Sequence, residues 1–105
     1  HTNFSNEEMR SRGSEELFKS MCEKLGEAHK EGIASYGSDN DKRLTGLHET
    51  QSIEKFSYAV SDRGASIRIP IYTLEHNWNG YLEDRRPASN ADPYKIIAHI
   101  VGTLT

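Results

Sequence analysis

Cysteine is nearly absent from this chain, and that absence excludes one way of holding a small protein together. The sequence of 105 residues contains a single cysteine, Cys22, so no disulfide can form within it. Proteins kept in a reducing compartment show this cysteine usage, because disulfides do not persist there. We therefore expect a cytoplasmic location.

Apolar residues are also scarce. They make up 34% of the chain and charged residues 28%, whereas an average domain is roughly 45–50% apolar. Such a thin core predicts that the chain is a piece of something larger. The sequence opens with His1 and not with Met, which we interpret as the result of processing, tagging or excision. We identify no signal or transit segment before the first predicted helix.

Strong net charge and long apolar runs are missing as well. The formal net charge is −3 and the pI is about 5.9, so bulk charge gives no reason to expect a nucleic acid or an anionic membrane as a partner. No apolar run approaches the roughly 20 residues of a membrane span. The glycine-rich phosphate loop and the dinucleotide fingerprint are absent too, so a nucleotide would have to bind without those cradles.

The helical signals in the chain are clear. The segment Ser5-Asn6-Glu7-Glu8 is a capping box that predicts a first helix. Ser14 can cap a second, long helix over about 14–34, where apolar residues recur at helical spacing. Asp92-Pro93 begins the last helix, with Asp as the N-cap and Pro in the first turn.

Strands and loops are predicted between these helices. Residues 56–60 and 66–70 have strand character, whereas 37–52 is a long loop rich in Gly, Asp, Asn and Thr, and 71–79 is a surface excursion. We expect an α+β fold in which antiparallel strands are flanked by the long N-terminal helix and the C-terminal helix.

The segment 80–87 has the most informative pattern. Read as a strand, it places Tyr81, Glu83 and Arg85 on one face. A strand with a purely structural role in a small domain would alternate apolar and polar residues along its length. A carboxylate can hold a hard cation, a guanidinium can grip a carboxylate or phosphate, and a ring can stack on a base. The face therefore predicts part of a site for an anionic, metal-bound ligand.

Arginine outnumbers lysine in the second part of the chain, whereas lysine outnumbers arginine in the first. Up to position 42 there are four Lys and two Arg, and from position 43 there are five Arg and two Lys. Arginines converging on one pocket would neutralise a transferring phosphoryl group. The alternative is a set of scattered surface ion pairs. The five later residues are Arg43, Arg63, Arg68, Arg85 and Arg86.

Three further residues have possible roles in catalysis. His1 and Glu83 together offer nitrogen and oxygen ligands that suit Mg²⁺ or Mn²⁺, although a leading histidine can also be the remnant of an affinity tag. Glu49 lies in the long loop, where a carboxylate can act as a lid or a proton acceptor or can be simply solvated.

Four blocks of residues lie in order over nearly the whole chain. They are His1-Thr2-Asn3-Phe4-Ser5, Lys42 to Thr50 with the core Arg43-Leu44-Thr45-Gly46-Leu47-His48-Glu49, Arg63 to Pro70, and Gly80 to Asn90 followed by Asp92-Pro93-Tyr94. These blocks resemble the C-terminal part of the catalytic domain of glutamine synthetases of the eukaryotic-type (class II) branch. Leu47 and Leu82 stand where many members have Phe, and the stretch 71–79 differs from plant and animal members, which favours a bacterial one.

The resemblance implies ATP-dependent ligation of ammonia to L-glutamate through γ-glutamyl phosphate. It implies that His1 and Glu83 bind a divalent metal, and that Glu49 shields the acyl phosphate and takes a proton from ammonium. The glutamate-binding and phosphoryl-binding residues would be Arg43, Arg63 and Arg85. The ATP site would be lined by Asn3, Phe4, Ser5, Arg63, Arg68, Tyr81, Leu82 and Glu83.

The resemblance also implies what lies outside residues 1–105. Members of the family have an N-terminal β-grasp domain and a first half of the catalytic domain, with most carboxylate metal ligands. Their active sites form between adjacent subunits of a homo-oligomeric ring. We therefore expect residues 1–105 alone to be inactive, and to be oligomeric or prone to aggregation because strand edges are exposed.

Other functions are compatible with the same residues. A relative that ligates a polyamine or another amine to glutamate would keep the same glutamate-side arginines. A non-enzymatic structural protein on the same fold need not keep Glu49, Glu83, Arg63 and Arg85. An α+β module that binds an anion would explain the arginines but not the four ordered blocks.

Overall fold

A computed structural model describes residues 1–48 and 50–105. Within that part of the chain, four short strands form one sheet with helices packed against one side. The strands are β1 (Thr2–Phe4), β2 (Tyr58–Val60), β3 (Ile67–Ile69) and β4 (Leu82–Asp84). The helices are α1 (Glu7–Ser11), α2 (Glu15–Glu27), α3 (His29–Ser35), α4 (Asn40–Arg43), α5 (Ile71–Glu75) and α6 (Pro93–Leu104). The predicted α+β class is confirmed.

The sheet is mixed, with the strand order β1-β4-β3-β2. β4 is antiparallel to both of its neighbours, but β2 and β3 are parallel, so the expectation of antiparallel strands is wrong for that pair. The segment 61–66 folds back along β2, and the amides of Ser66 and Ile67 both donate to the carbonyl of Ser57. Three-residue strands are only about 10 Å long. A short connection can therefore return the chain to the start of the neighbouring parallel strand, although parallel strands are normally joined by a dozen residues or more.

The predicted long helix 14–34 is two helices. Its start is confirmed, because the Ser14 hydroxyl accepts a hydrogen bond from the Leu17 amide. It breaks at Ala28, where φ is −98° and ψ is 23°. The break turns α3 so that the His29 ring reaches the carbonyl of Ile53, 2.8 Å away. Contacts of α3 with distant parts of the chain therefore override the helical periodicity.

Of the residues that precede α1, Thr2–Phe4 form the strand β1. Asn6, and not Ser5, caps α1 by accepting a hydrogen bond from the Met9 amide at 2.8 Å. The Ser5 hydroxyl instead donates to the carbonyl of Gly80 at 2.6 Å. At the other end of the chain the predicted cap is confirmed, since the Asp92 carboxylate accepts from the Tyr94 amide and Pro93 opens α6.

Two apolar clusters hold these elements together. The larger one joins α2 to the sheet, with Phe18 and Leu25 from the helix and Ile67 and Leu82 from the strands. Cys22 is completely buried in it, and this burial raises the pKa of its thiol to about 12. The smaller cluster joins Tyr36 to Ile96 and Ile100 of α6.

The loop and the excursion contain short helices. α4 lies in the predicted loop 37–52 and α5 in the excursion 71–79, where Trp78 packs against Phe18 with ring centroids 5.9 Å apart. Three apolar side chains of α6 stay exposed, namely Tyr94, Ile97 and Val101. Among the helices in the described part of the chain, none has the length and apolar character needed to cross a membrane.

Candidate functional site

The strand register collects several of the predicted site residues on one face of the sheet. Asn3 of β1 is paired with Glu83 of β4, and Glu83 is paired with Arg68 of β3. Directly paired residues project to the same face of a sheet. The neighbouring positions Ile67 and Leu82 point the other way and are fully buried in the core. One face of the sheet therefore packs against α2, and the other carries the polar groups.

Glu83 is the centre of this polar face. Its Oε1 lies 3.2 Å from Nδ1 of His1 and 3.2 Å from an Nη1 of Arg85, and its Oε2 lies 3.5 Å from Nη1 of Arg68. The carboxylate is only 13% exposed, so it is screened from bulk water. Because the three partners come from different strands or strand ends, this cluster exists only in the folded sheet.

One donor of the cluster is placed to meet an anion. The guanidinium groups of Arg68 and Arg85 both contact the Glu83 carboxylate. The Nε of Arg68 is buried and makes no hydrogen bond within residues 1–48 and 50–105. A buried donor left unmatched is costly, and a bound carboxylate or phosphate would relieve that cost.

His1 and Glu83 provide two adjacent donors for a cation. An imidazole nitrogen and a carboxylate oxygen are both ligands of Mn²⁺, and the carboxylate also suits Mg²⁺. No group of three or more His, Cys, Asp and Glu side chains within the described residues could hold a metal ion. The pair therefore fits part of a metal site, with the remaining ligands supplied by water, substrate or other protein segments.

Arg43 lies beside the residues that follow the C-terminal end of β4. Its Nε donates to Asn40 at 3.3 Å, and its Nη1 and Nη2 donate to the carbonyl of Arg85 at 3.4 and 3.3 Å. Nη2 also donates to the carbonyl of Arg86. Partial burial and the charge of Arg85 lower the pKa of the Arg43 guanidinium. Arg43 thus stands beside Arg85, and its present contacts fix the backbone of that residue.

The remaining predicted residues lie in different places. Arg63 is in the exposed turn that connects β2 with β3, and Glu49 lies outside the described residues. The side chain of Leu82 is buried in the core, so only its backbone can reach a ligand on the polar face. Phe4 is partly buried against both apolar clusters.

Tyr81 and Ser5 line an open groove of about 350 Å³ at the start of β4. The hydrogen bond between Ser5 and the carbonyl of Gly80 fixes one wall. A side chain at position 80 would collide with Thr73, because a Cβ there would lie 2.5 Å from its hydroxyl oxygen. The groove is lined by Ser5, Arg10, Tyr72, Asn79, Gly80 and Tyr81.

Arg86 does not join the other arginines, so the expectation that all five converge is wrong for this residue. It is buried on the opposite side of β4, where its Nε and Nη2 donate to the two oxygens of Asp84 at 2.9 and 2.8 Å. Its Nη1 donates to Nδ1 of His29 at 2.9 Å. Strand alternation could have found this, because positions 84 and 86 share the face opposite to 83 and 85.

Tyr36 completes the group around Asp84. Its hydroxyl donates to Asp84 Oδ2 at 2.8 Å, and the Arg86 guanidinium carbon lies 5.2 Å from the centre of its ring. Burial, followed by the charge of Asp84, raises the pKa of the Tyr36 phenol well above its usual value. Burial alone would lower the pKa of Arg86, but the hydrogen bonds and charge of Asp84 outweigh it and raise that pKa.

Comparison with known proteins gives close relatives over the full chain. It is 56% identical to a glutamine synthetase of Neurospora crassa over 98% of the chain and 28% of the relative. It is 50% identical to a glutamine synthetase of Bradyrhizobium diazoefficiens over 100% of the chain and 30% of the relative. It is 53% identical to glutamine synthetase root isozyme 3 of Zea mays over 98% of the chain and 29% of the relative.

These alignments also show how much of each relative the chain covers. The chain spans about 30% of the length of the curated relatives it matches. No protein-family model matches it. The kinship therefore rests on pairwise similarity, which is uniform across fungal, bacterial and plant relatives.

Proposed function

Because this chain belongs over its whole length to the glutamine synthetase family, we propose that it is the C-terminal portion of the catalytic domain of a glutamate–ammonia ligase. Residues 1–105 would supply one side of an active site whose other side, with the N-terminal β-grasp domain, is contributed by further sequence. The observation that carries the proposal is the 50–56% identity over the whole chain. The cluster around Glu83 supports it, because its chemistry suits anionic substrates.

In this reaction the γ-carboxylate oxygen of L-glutamate attacks the γ-phosphorus of ATP and ADP leaves. Ammonia then attacks the acyl carbon of γ-glutamyl phosphate, and inorganic phosphate leaves as glutamine forms. Both steps concentrate negative charge on phosphoryl and carboxylate oxygens. Arginines held in a screened site stabilise that charge without having to reorganise during the reaction.

The residues of the polar face take defined roles in the proposal. Arg68 would bind an ATP phosphate through donors that include its buried Nε. Arg85 would bind glutamate or the transferred phosphoryl group, with Arg43 beside it. Arg63 would reach the same anions from the turn between β2 and β3. Because Arg85 already shares a carboxylate with Arg68, a ligand held by both would sit directly over Glu83.

His1 and Glu83 would be metal ligands, for Mg²⁺ or Mn²⁺. When bound, the metal would offset phosphate charge close to these two donors. Asn3, Phe4, Ser5, Tyr81 and the backbone of Leu82 would line the ATP site. Glu49 would close over the acyl phosphate and accept a proton from ammonium, which remains a prediction from the resemblance.

We propose further that the complete protein is a homo-oligomeric ring in the cytoplasm, with active sites between subunits. The unpaired edge of β1 and the exposed apolar side chains of α6 support association with other segments or chains. L-glutamate, ammonia and ATP would be its substrates.

The test is glutamine formation by the complete protein. We expect glutamine to appear only when ATP, L-glutamate, ammonium and Mg²⁺ or Mn²⁺ are all present, with one phosphate released for each glutamine. Replacing ammonium with putrescine or another polyamine should give no γ-glutamyl-amine. Formation of the amine product instead would identify a ligase for a larger amine, and the absence of any ATP-dependent product would contradict the proposed enzyme.

The variant Arg85→Ala provides the matched test of the site, with Arg12→Ala as its control. Arg12 is an exposed arginine that follows α1 and does not line the polar face. We expect Arg85→Ala to lose most of the activity and Arg12→Ala to keep it. Equal activity in the two variants would show that the polar face does not take part in the reaction.

A further inference from the structure

An aromatic pair on α5 stands beside the groove at the start of β4. The rings of Tyr72 and His76 are stacked, with centroids 3.8 Å apart and planes at 22°. Tyr72 is 47% exposed. Its ring centroid also lies 5.9 Å from that of Tyr81, with the planes at 42°. Tyr72 and Tyr81 thus form two aromatic walls that meet at an angle in the groove.

The Tyr72 ring is held in place before any ligand arrives. Nδ1 of His76 donates to the carbonyl of Tyr72 at 2.8 Å, one helical turn away. This hydrogen bond orients the imidazole, and the imidazole supports the back of the Tyr72 ring. An aromatic side chain that is half-exposed and yet fixed loses little conformational entropy when a flat ligand stacks on it.

The other lining residues suit a nucleoside with phosphates. The Ser5 hydroxyl donates to Gly80, but its oxygen can still accept a hydrogen bond from a sugar, and Arg10 supplies a cation to the lining. The Asn79 amide already bonds to Gly13, His76 and Asn77 and shapes the wall. The volume of about 350 Å³ is within the range of small-ligand sites. Aromatic walls with a few polar groups and one cation are the features expected for a base, a ribose and a phosphate.

We propose that Tyr72 is a nucleotide-binding and specificity-determining residue, whose ring, backed by His76, stacks on the base of ATP beside Tyr81. The inference rests on the proposed function, since it places ATP in the groove that Ser5 and Tyr81 line. It adds a residue from the stretch 71–79 to those that would contact ATP, and Tyr72 would tune how tightly each base is held.

The test compares Tyr72→Ala with Tyr72→Phe in the complete protein. Loss of a stacking ring weakens nucleotide binding by about five- to tenfold or more, so we expect the KM for ATP to rise by at least that factor in Tyr72→Ala, with kcat nearly unchanged. Tyr72→Phe keeps the ring and should stay within about twofold of the wild type. His76→Ala should give a smaller rise, because the ring remains but loses its support.

Base preference gives a second readout. A purine stacks on an aromatic ring more extensively than a pyrimidine does, so Tyr72→Ala should lose more affinity for ATP than for CTP. Calorimetric titration of the complete protein with Mg²⁺ and each nucleotide measures this without any turnover. The control is Lys24→Ala, which shortens an exposed side chain of α2 that does not line the groove.

The outcomes separate this inference from the proposed function. If the wild type makes glutamine but Tyr72→Ala keeps its KM and Kd for ATP, the inference is wrong and the ligase assignment stands. If Tyr72→Ala weakens ATP binding but the wild type makes no glutamine, the inference stands and the ligase assignment is wrong. Equal losses in Tyr72→Ala and Lys24→Ala would also overturn the inference.

Discussion

Strand β4 carries two acid–arginine pairs that differ by one position, and the structure uses them in opposite ways. Asp84 and Arg86 meet through two hydrogen bonds of 2.9 and 2.8 Å, and their side chains are 0% and 2% exposed. Glu83 and Arg85 meet through one nitrogen at 3.2 and 3.3 Å, and their side chains are 13% and 10% exposed. A carboxylate and an arginine two residues apart thus make a closed pair on one face and an open pair on the other.

The two pairs differ in their surroundings. Asp84 and Arg86 are enclosed by Tyr36, by His29 and by the ring of Phe56, 5.1 Å from the guanidinium carbon. At Glu83, by contrast, groups from three segments meet one carboxylate, and Arg68 keeps a buried Nε without a hydrogen bond in the described part of the chain. Enclosure by packed side chains, and not residue type, therefore separates a structural ion pair from a binding site.

The largest expected effect comes from breaking the closed pair. Arg86→Met should destabilise the complete protein by about 3–5 kcal/mol, because Asp84 is left as an uncompensated buried charge. The free energy of unfolding in urea measures this. Adding Asp84→Asn to that variant should recover part of the loss, since the amide can still accept from Tyr36. No recovery would mean that packing of the Arg86 side chain, and not its charge, matters most.

Removing the second guanidinium that contacts Glu83 should affect activity rather than stability. Arg68→Ala removes a donor that meets Glu83 and offers its Nε to a ligand, and we expect kcat/KM to fall by roughly 10- to 100-fold. The free energy of unfolding should change by less than about 1 kcal/mol. A stability loss as large as that of Arg86→Met would erase the distinction between the two faces.

A milder change sharpens the comparison on the closed side. Tyr36→Phe removes the hydrogen bond to Asp84 but keeps the ring against Arg86, so the expected loss is roughly 1.5 kcal/mol. Urea unfolding of this variant against the wild type measures it. The expected kinetic constants are those of the wild type, and a marked fall in kcat would show that the closed pair is coupled to the site.

The smallest effect is a pH dependence next to the closed pair. Burial, followed by the charge of Arg86, lowers the pKa of His99 below its ordinary 6.5, although Asp84 and Glu31 oppose the shift. Below pH 6.5 the unfolded chain then binds more protons at this site than the folded one, so stability is complete above that pH and is lost as pH falls towards the folded pKa.

The variant His99→Phe tests this pH dependence. Nε2 of His99 is buried without a hydrogen bond in the described part of the chain, so the substitution removes no such bond. We expect the decline in unfolding free energy between pH 7 and pH 5 to be shallower in His99→Phe than in the wild type. His48→Gln, which changes an exposed histidine, is the control. Identical slopes for His99→Phe and the wild type would contradict the assignment.

Local signals predicted those parts of the fold that short segments determine. The caps at Ser14 and Asp92 and the strand around Ile67 depend on side chains within a few residues, and the structure has them as expected. The break at Ala28 and the parallel pairing of β2 with β3 depend on distant contacts, of His29 with Ile53 and of Ser57 with two amides. Hydrophobic periodicity contains no information about such contacts.

The residues of the candidate site also differ in whether a local sequence pattern predicts their position. Alternation along β4 was enough to place Glu83 and Arg85 together. The arrival of His1 and Arg68 at the same carboxylate depends on strand register, which links positions far apart in sequence. Arg86 was assigned to the wrong group because counting arginines ignored which face each one occupies.

Chemical labelling of Cys22 can report how tightly α2 packs against the sheet. A thiol that is fully buried and has a pKa of about 12 is almost entirely protonated at neutral pH, and only the thiolate reacts readily with disulfide reagents. Labelling must therefore wait until α2 lifts from the sheet. The rate at which such a reagent modifies Cys22 would consequently count the openings of this helix, and give the local free energy that holds the sheet's inner face shut.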